Sequence, residues 1–133
     1  MLAKDVRFPL LFIRLSVALV MAVWVADKFL RPEHTAAVFD YFYFIPGLTP
    51  VAAYIIGAVQ GIIVLAFLIG WRKRLSYGLV LAMHAVSTLS SFSVYLRPFE
   101  DANILFFAAW PMLAAIAALY NLREQDTLLT LKR

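Results

Sequence analysis

His84, Thr88, Ser91 and Tyr95 follow one another at steps of four, three and four in an otherwise apolar stretch. On a helix that spacing lines them along one face, with Ser87 at its border. Gln60 lies about 11 residues before the tribasic segment Arg72-Lys73-Arg74, and His84 about 9 after it. Helical rise therefore places Gln60 and His84 at similar depth. A Gln60–His84 hydrogen bond across a hairpin is the structural reading. A haem-ligating or proton-carrying His84 is the sharper one, but the only other histidine, His34, lies in a different, external segment. Arg14 is the third polar intruder. It either snorkels to headgroups or turns inward to a buried acid or to an anionic quinone or lipid group. Together Arg14, Gln60, His84, Thr88, Ser91 and Tyr95 form a candidate ligand-binding pocket. Its chemistry suits a quinone better than a haem, and the sequence demands no cofactor or metal.

The elements that must position these residues are apolar runs. Val51 to Trp71 and Leu75 to Leu96 contain no charged residue. Each is about 20 residues long, enough as a helix to cross a hydrocarbon core of roughly 30 Å. Three residues separate them, so they must be antiparallel neighbours. Two more runs, about 8–30 and 102–122, complete four expected spans. Pro111, near the middle of the last, predicts a kink. Arg14 and Lys28 are four turns apart and mark two ends of one stripe on the first helix. Gly57 and Gly61 give the second helix a small-xxx-small face for close approach. Arg31-Pro32 ends the first helix. Thr35 to Phe44 then carries Phe39, Tyr41, Phe42, Tyr43 and Phe44, which reads as an amphipathic interfacial segment or a ligand-binding cap. The tail after Leu122 is mixed in charge and reads as a surface turn.

Composition agrees with a membrane environment. Of the 133 residues 64% are hydrophobic, and the mean hydropathy is +0.85. Soluble domains are about 45–50% apolar. One membrane domain over 1–133 follows, with no room for a second. The net charge of +4 does not indicate nucleic acid, because the cations sit at the ends of apolar runs. There is no cysteine, which excludes disulfides, thiolate metal sites and cysteine redox chemistry by this chain. The apolar run after the basic N-terminus continues past Trp24, so it is expected to be a retained helix and not a cleaved leader. Lys4, Arg7, Arg72, Lys73, Arg74, Arg123, Lys132 and Arg133 fall on one side; Lys28, Arg31 and Arg97 fall on the other. The positive-inside rule makes both termini cytoplasmic in a bacterial-type inner membrane. Arg72, Lys73 and Arg74, with the five rings, are the expected interface residues. No phosphate-binding loop, zincin motif, nucleophile elbow or buried carboxylate pair is present.

Ile13-Arg14-Leu15 with Lys28-Phe29, and Gln60 with Gly70 and Arg72-Lys73-Arg74, make residues 10 to 90 resemble the DoxX-like family of small four-helix membrane proteins. Gln60 stands where that family usually carries an acid, and Ile63 and Val64 replace paired glycines. The resemblance implies a bundle linked to thiosulfate:quinone or oxidative-stress complexes.

The expected fold is all-α: a polytopic four-transmembrane-helix bundle with an external amphipathic segment between helices one and two. The expected function is a non-catalytic membrane subunit or anchor of a quinone-linked redox or oxidative-stress complex. The alternatives are a quinone- or haem-binding oxidoreductase subunit, and a small lipid or solute carrier. The expected partners are the lipid bilayer and, within it, a protein partner or a second copy of the chain.

Overall fold

A computed structural model describes residues 4–131. Lys132 and Arg133, counted above among the cations, lie outside the described residues. Helix α1 spans Arg7–Leu30 and α2 spans Pro32–Tyr43. After a turn come α3, Pro50–Leu68, and α4, Lys73–Ser90. A single turn, α5, covers Phe92–Tyr95. A 3₁₀ segment, Asn103–Ala108, leads into α6, Ala109–Asn121. No strand occurs among the described residues.

Three of these stretches are long and apolar enough to cross a membrane: Arg7–Leu30, Pro50–Leu68 and Asn103–Asn121. Helix α4 is not among them, because it opens on Lys73 and Arg74 and carries the polar stripe. It packs on α6 and α3, while α1 packs on α3 and α6. The shared core joins Leu10, Val17 and Met21 of α1 to Val64 and Phe67 of α3. Tyr77 and Val80 of α4 and Ile116 and Leu119 of α6 close it. The outward faces keep large apolar side chains such as Phe12, Leu19, Ile62 and Leu105 exposed. Such faces are stable against lipid, where helix association depends on close packing.

The buried stripe of α1 is Leu10, Arg14, Val17, Ala18 and Met21, a three–four spacing that leads up to Lys28. On α3, Gly57 admits α1. A Cβ there would lie 2.8 Å from the Phe29 ring, whereas one at Gly61 would make an ordinary 3.5 Å contact with Val25.

Element ends differ from the sequence expectation in four places. Helix α2 begins at Pro32, not Thr35, because proline suits the first helical position. Helix α3 stops at Leu68, not Trp71. Gly70 at φ +69° and Arg72 at φ +46° reverse the chain there, and Lys73 and Arg74 already form the first turn of α4. The third helix does not continue to Leu96. Its own polar stripe ends it: the Ser91 hydroxyl donates to Ser87 O at 2.9 Å and the Tyr95 hydroxyl to Thr88 O at 2.9 Å. These side chains compete for carbonyls that a longer helix would use. Pro111, expected near mid-helix, is not central to α6. It falls in the first turn of α6, where its missing N–H costs nothing, and the chain before it winds as 3₁₀. At the opposite end of the chain, the Arg7 guanidinium hydrogen-bonds Asp5 and holds its exposed carboxyl down at about 2.

Candidate functional site

Two constellations of polar groups stand apart from the α4 stripe, one at the end of the bundle where the described residues begin and end and one at the opposite end. Arg14 organises the first. It is fully buried, and its Nε donates to Leu68 O at 3.0 Å. Its Nη1 donates to Asp126 Oδ1 at 2.5 Å, and its Nη2 to the carbonyls of Leu128 and Leu129. Asp126 is equally buried and takes a second bond from the Tyr77 hydroxyl at 2.5 Å. Lys73 Nζ donates to the Asp126 carbonyl. Leu131 N donates to Ile69 O at 2.9 Å, which ties the tail across the α3–α4 turn. A Cβ on Gly70 would meet Thr130 at 2.6 Å, so only glycine lets the tail lie this close. The tail thus opens on the expected surface turn, a 3₁₀ turn over Arg123–Gln125, and then runs as a strap, and Arg14 is paired inward, not snorkelled. Asp126 is the acid that the sequence reading did not find.

The second constellation is a cavity of about 660 Å³ under α2. Helix α1 contributes Trp24, Asp27 and Lys28, and α3 contributes Gln60. From α4 come Ala82, Met83, Val86 and Ser87. Helix α2 roofs it with Thr35, Val38, Phe39 and Tyr43, beside His34. Asp27 pins that roof. Its Oδ1 accepts from Arg31 Nε at 2.6 Å and its Oδ2 lies 2.5 Å from His34 Nδ1. Phe39 and Tyr43 pack edge to face with centroids 4.9 Å apart. Tyr41 and Phe44 point away and are exposed, and Phe42 meets Phe106. Two of the five aromatic residues thus line a cavity, and three face outward or a neighbouring segment.

The six proposed pocket residues do not converge. Arg14 belongs to the strap. Gln60 reaches the cavity, and its amide has no hydrogen-bond partner among the described residues. His84 is buried, stacks on Trp24 at 6.0 Å and meets Ala109 O through Nε2 at 2.9 Å. The Gln60–His84 bond is therefore not made, and His84 Nδ1 stays buried without a partner. Thr88 donates to His84 O at 2.7 Å, and Ser91 and Tyr95 bond carbonyls of their own segment. Tyr77 was passed over, although it lies seven residues before His84 on the same helix face. Trp24 had no signal beyond its place at the end of an apolar run. No group of three or more His, Cys, Asp or Glu residues is arranged for a metal among the described residues.

Apolar spans, a charge-paired strap at one end and a roofed cavity at the other define a small integral membrane protein. A family model described as methylamine utilisation protein MauE matches residues 6–103, and the chain belongs to that membrane-protein family. The match takes in Arg14, the four helices that line the cavity and the α3–α4 turn; Asp126 lies beyond it. No curated protein and no solved structure matches the chain.

Proposed function

We propose that this protein is a non-catalytic membrane subunit of a methylamine-utilisation system, serving a redox partner from within the bilayer. The MauE match over residues 6–103 carries this reading. Its support in the structure is the way polar groups are used: Arg14, Asp126, Tyr77, Thr88 and Ser91 bond one another or backbone, as scaffold residues do. Large apolar side chains remain on the outside for lipid or a partner helix. In this reading α4 crosses as a fourth span beside the three apolar ones, and both termini face the cytoplasm of a bacterial-type inner membrane. The finer assignment, to a quinone-linked complex of the DoxX-like kind, rests on the Arg14–Lys28 and Gln60–Gly70 spacing.

The test is genetic and biochemical together. Deletion of the gene is expected to abolish growth on methylamine as nitrogen or carbon source and leave growth on ammonium with a sugar intact. The tagged chain, solubilised in mild detergent, is expected to elute with a stoichiometric component of the methylamine-oxidising machinery. Normal growth on methylamine together with a lone monomer overturns the reading.

A further inference from the structure

We infer that the cavity under α2 binds a membrane amphiphile carrying an oxyanion head on an acyl chain, with Lys28 holding the head. This goes beyond the subunit role and does not depend on which partner the protein serves.

Lys28 is the first observation. A lysine near the end of a spanning helix ordinarily extends its ammonium outward to water. Here Nζ turns back toward the Trp24 carbonyl, one turn deeper along α1, at a long 3.4 Å. Its sequence neighbour Asp27 makes no ion pair with it; both Asp27 oxygens are engaged by Arg31 and His34. Lys28 therefore has no carboxylate partner among the described residues and lines the cavity half-buried. Its ammonium is thus left without an anion of the chain, open to one that enters the cavity.

Gln60 is the second. Gly57 faces Lys28 and Phe29 across the α1–α3 contact, so Gln60 sits about one turn deeper than Lys28 on the same cavity wall. Its amide makes no hydrogen bond among the described residues. A head group seated on Lys28 can extend a second oxygen to that amide.

The third is shape. The wall opposite Lys28 is Met83, Val86, Phe39 and Tyr43, which suits a hydrocarbon chain. Ala82 and Val86 are exposed as well as cavity-lining, so the cavity opens past α4 toward the surface that lipid covers. The volume of about 660 Å³ lies within the range of ligand cavities. Entry is sideways from the bilayer, head first under the α2 roof.

A carboxylate from a free fatty acid and a phosphodiester from an anionic phospholipid offer the same head chemistry. Trp24 reports on both. With Trp71→Phe and Trp110→Phe it becomes the only indole of the three in the chain. The purified, delipidated full chain in maltoside micelles is titrated with brominated fatty acid, brominated phosphatidylglycerol and brominated phosphatidylcholine. Saturable quenching by one of the two anionic probes is expected, and the probe that saturates identifies the source. Lys28→Met is expected to raise the midpoint about tenfold or more, and Gln60→Leu about threefold, as charged and neutral hydrogen bonds differ. Ala82→Leu, which fills the cavity, is expected to suppress saturation. Equal quenching by phosphatidylcholine, or displacement by a neutral quinone with Lys28→Met unchanged, overturns the proposal. If Lys28→Met does not fold, unchanged midpoints in both Gln60→Leu and Ala82→Leu overturn it equally.

Discussion

Arg14 shows how much one residue can depend on another far along the chain. Its partner Asp126 is 112 residues away, and both are fully buried. Removing one member of a buried pair leaves an uncompensated charge, at a cost of about 3–5 kcal/mol. Asp126→Ala is expected to lower unfolding stability in detergent by that amount, measured by denaturant titration. The double variant Arg14→Met/Asp126→Leu is expected to recover most of the loss, because a matched apolar pair needs no compensation. Glycine gives a second residue-scale contrast. Gly57→Val forces a methyl-bearing carbon into the Phe29 ring and is expected to cost about 1–3 kcal/mol. Gly61→Ala meets only an ordinary contact with Val25 and is expected to leave the same unfolding curve unchanged. The sequence disclosed that Arg14 was anomalous but not its answer. Asp126 stands among charged and polar tail residues, and nothing in the spacing around it marks it as buried.

At the scale of elements, hydrophobic run length located α1, α3 and α6, while polar side chains decided where helices stop. The stripe His84, Thr88, Ser91, Tyr95 was legible as one face. Its meaning was not, since spacing alone cannot separate residues that meet a ligand from residues that bond their own backbone. Helix α2 was legible as amphipathic and aromatic; that its roof residues cover a cavity depended on the Asp27–His34 contact at the α1–α2 corner. The strap is the least legible element, because it has no periodicity and gains its order from Arg14, Lys73 and Ile69. Truncation after Arg123 is expected to speed amide exchange at the Arg7–Val17 end of α1 and in the α3–α4 turn. Exchange near Trp24 and Gln60 is expected to stay as in the full chain, because those residues lie at the other constellation. Hydrogen exchange with peptide-level mass spectrometry checks both statements.

For the whole molecule, orientation is the property with the most consequence, and the charge distribution predicts it. The chain has no cysteine, so any introduced thiol is a clean reporter. With the proposed orientation, Glu100→Cys is expected to react in intact cells with a membrane-impermeant maleimide. Arg74→Cys is expected to react only after permeabilisation. The reverse pattern would invert the molecule, and reaction of both thiols from one side would mean that α4 does not cross. The strap also bears on how the protein comes to be made. When α1 enters the membrane, its guanidinium lacks its partner, because Asp126 is not synthesised until another 112 residues have been added. At about 5–20 residues per second that interval is about 6–22 s. During it α1 can insert but cannot settle, and the nascent chain exposes a cation that a translocase, a lipid phosphate or an insertase must shield. Asp126 and the strap residues beside it are therefore the ones that commit the first helix to its place.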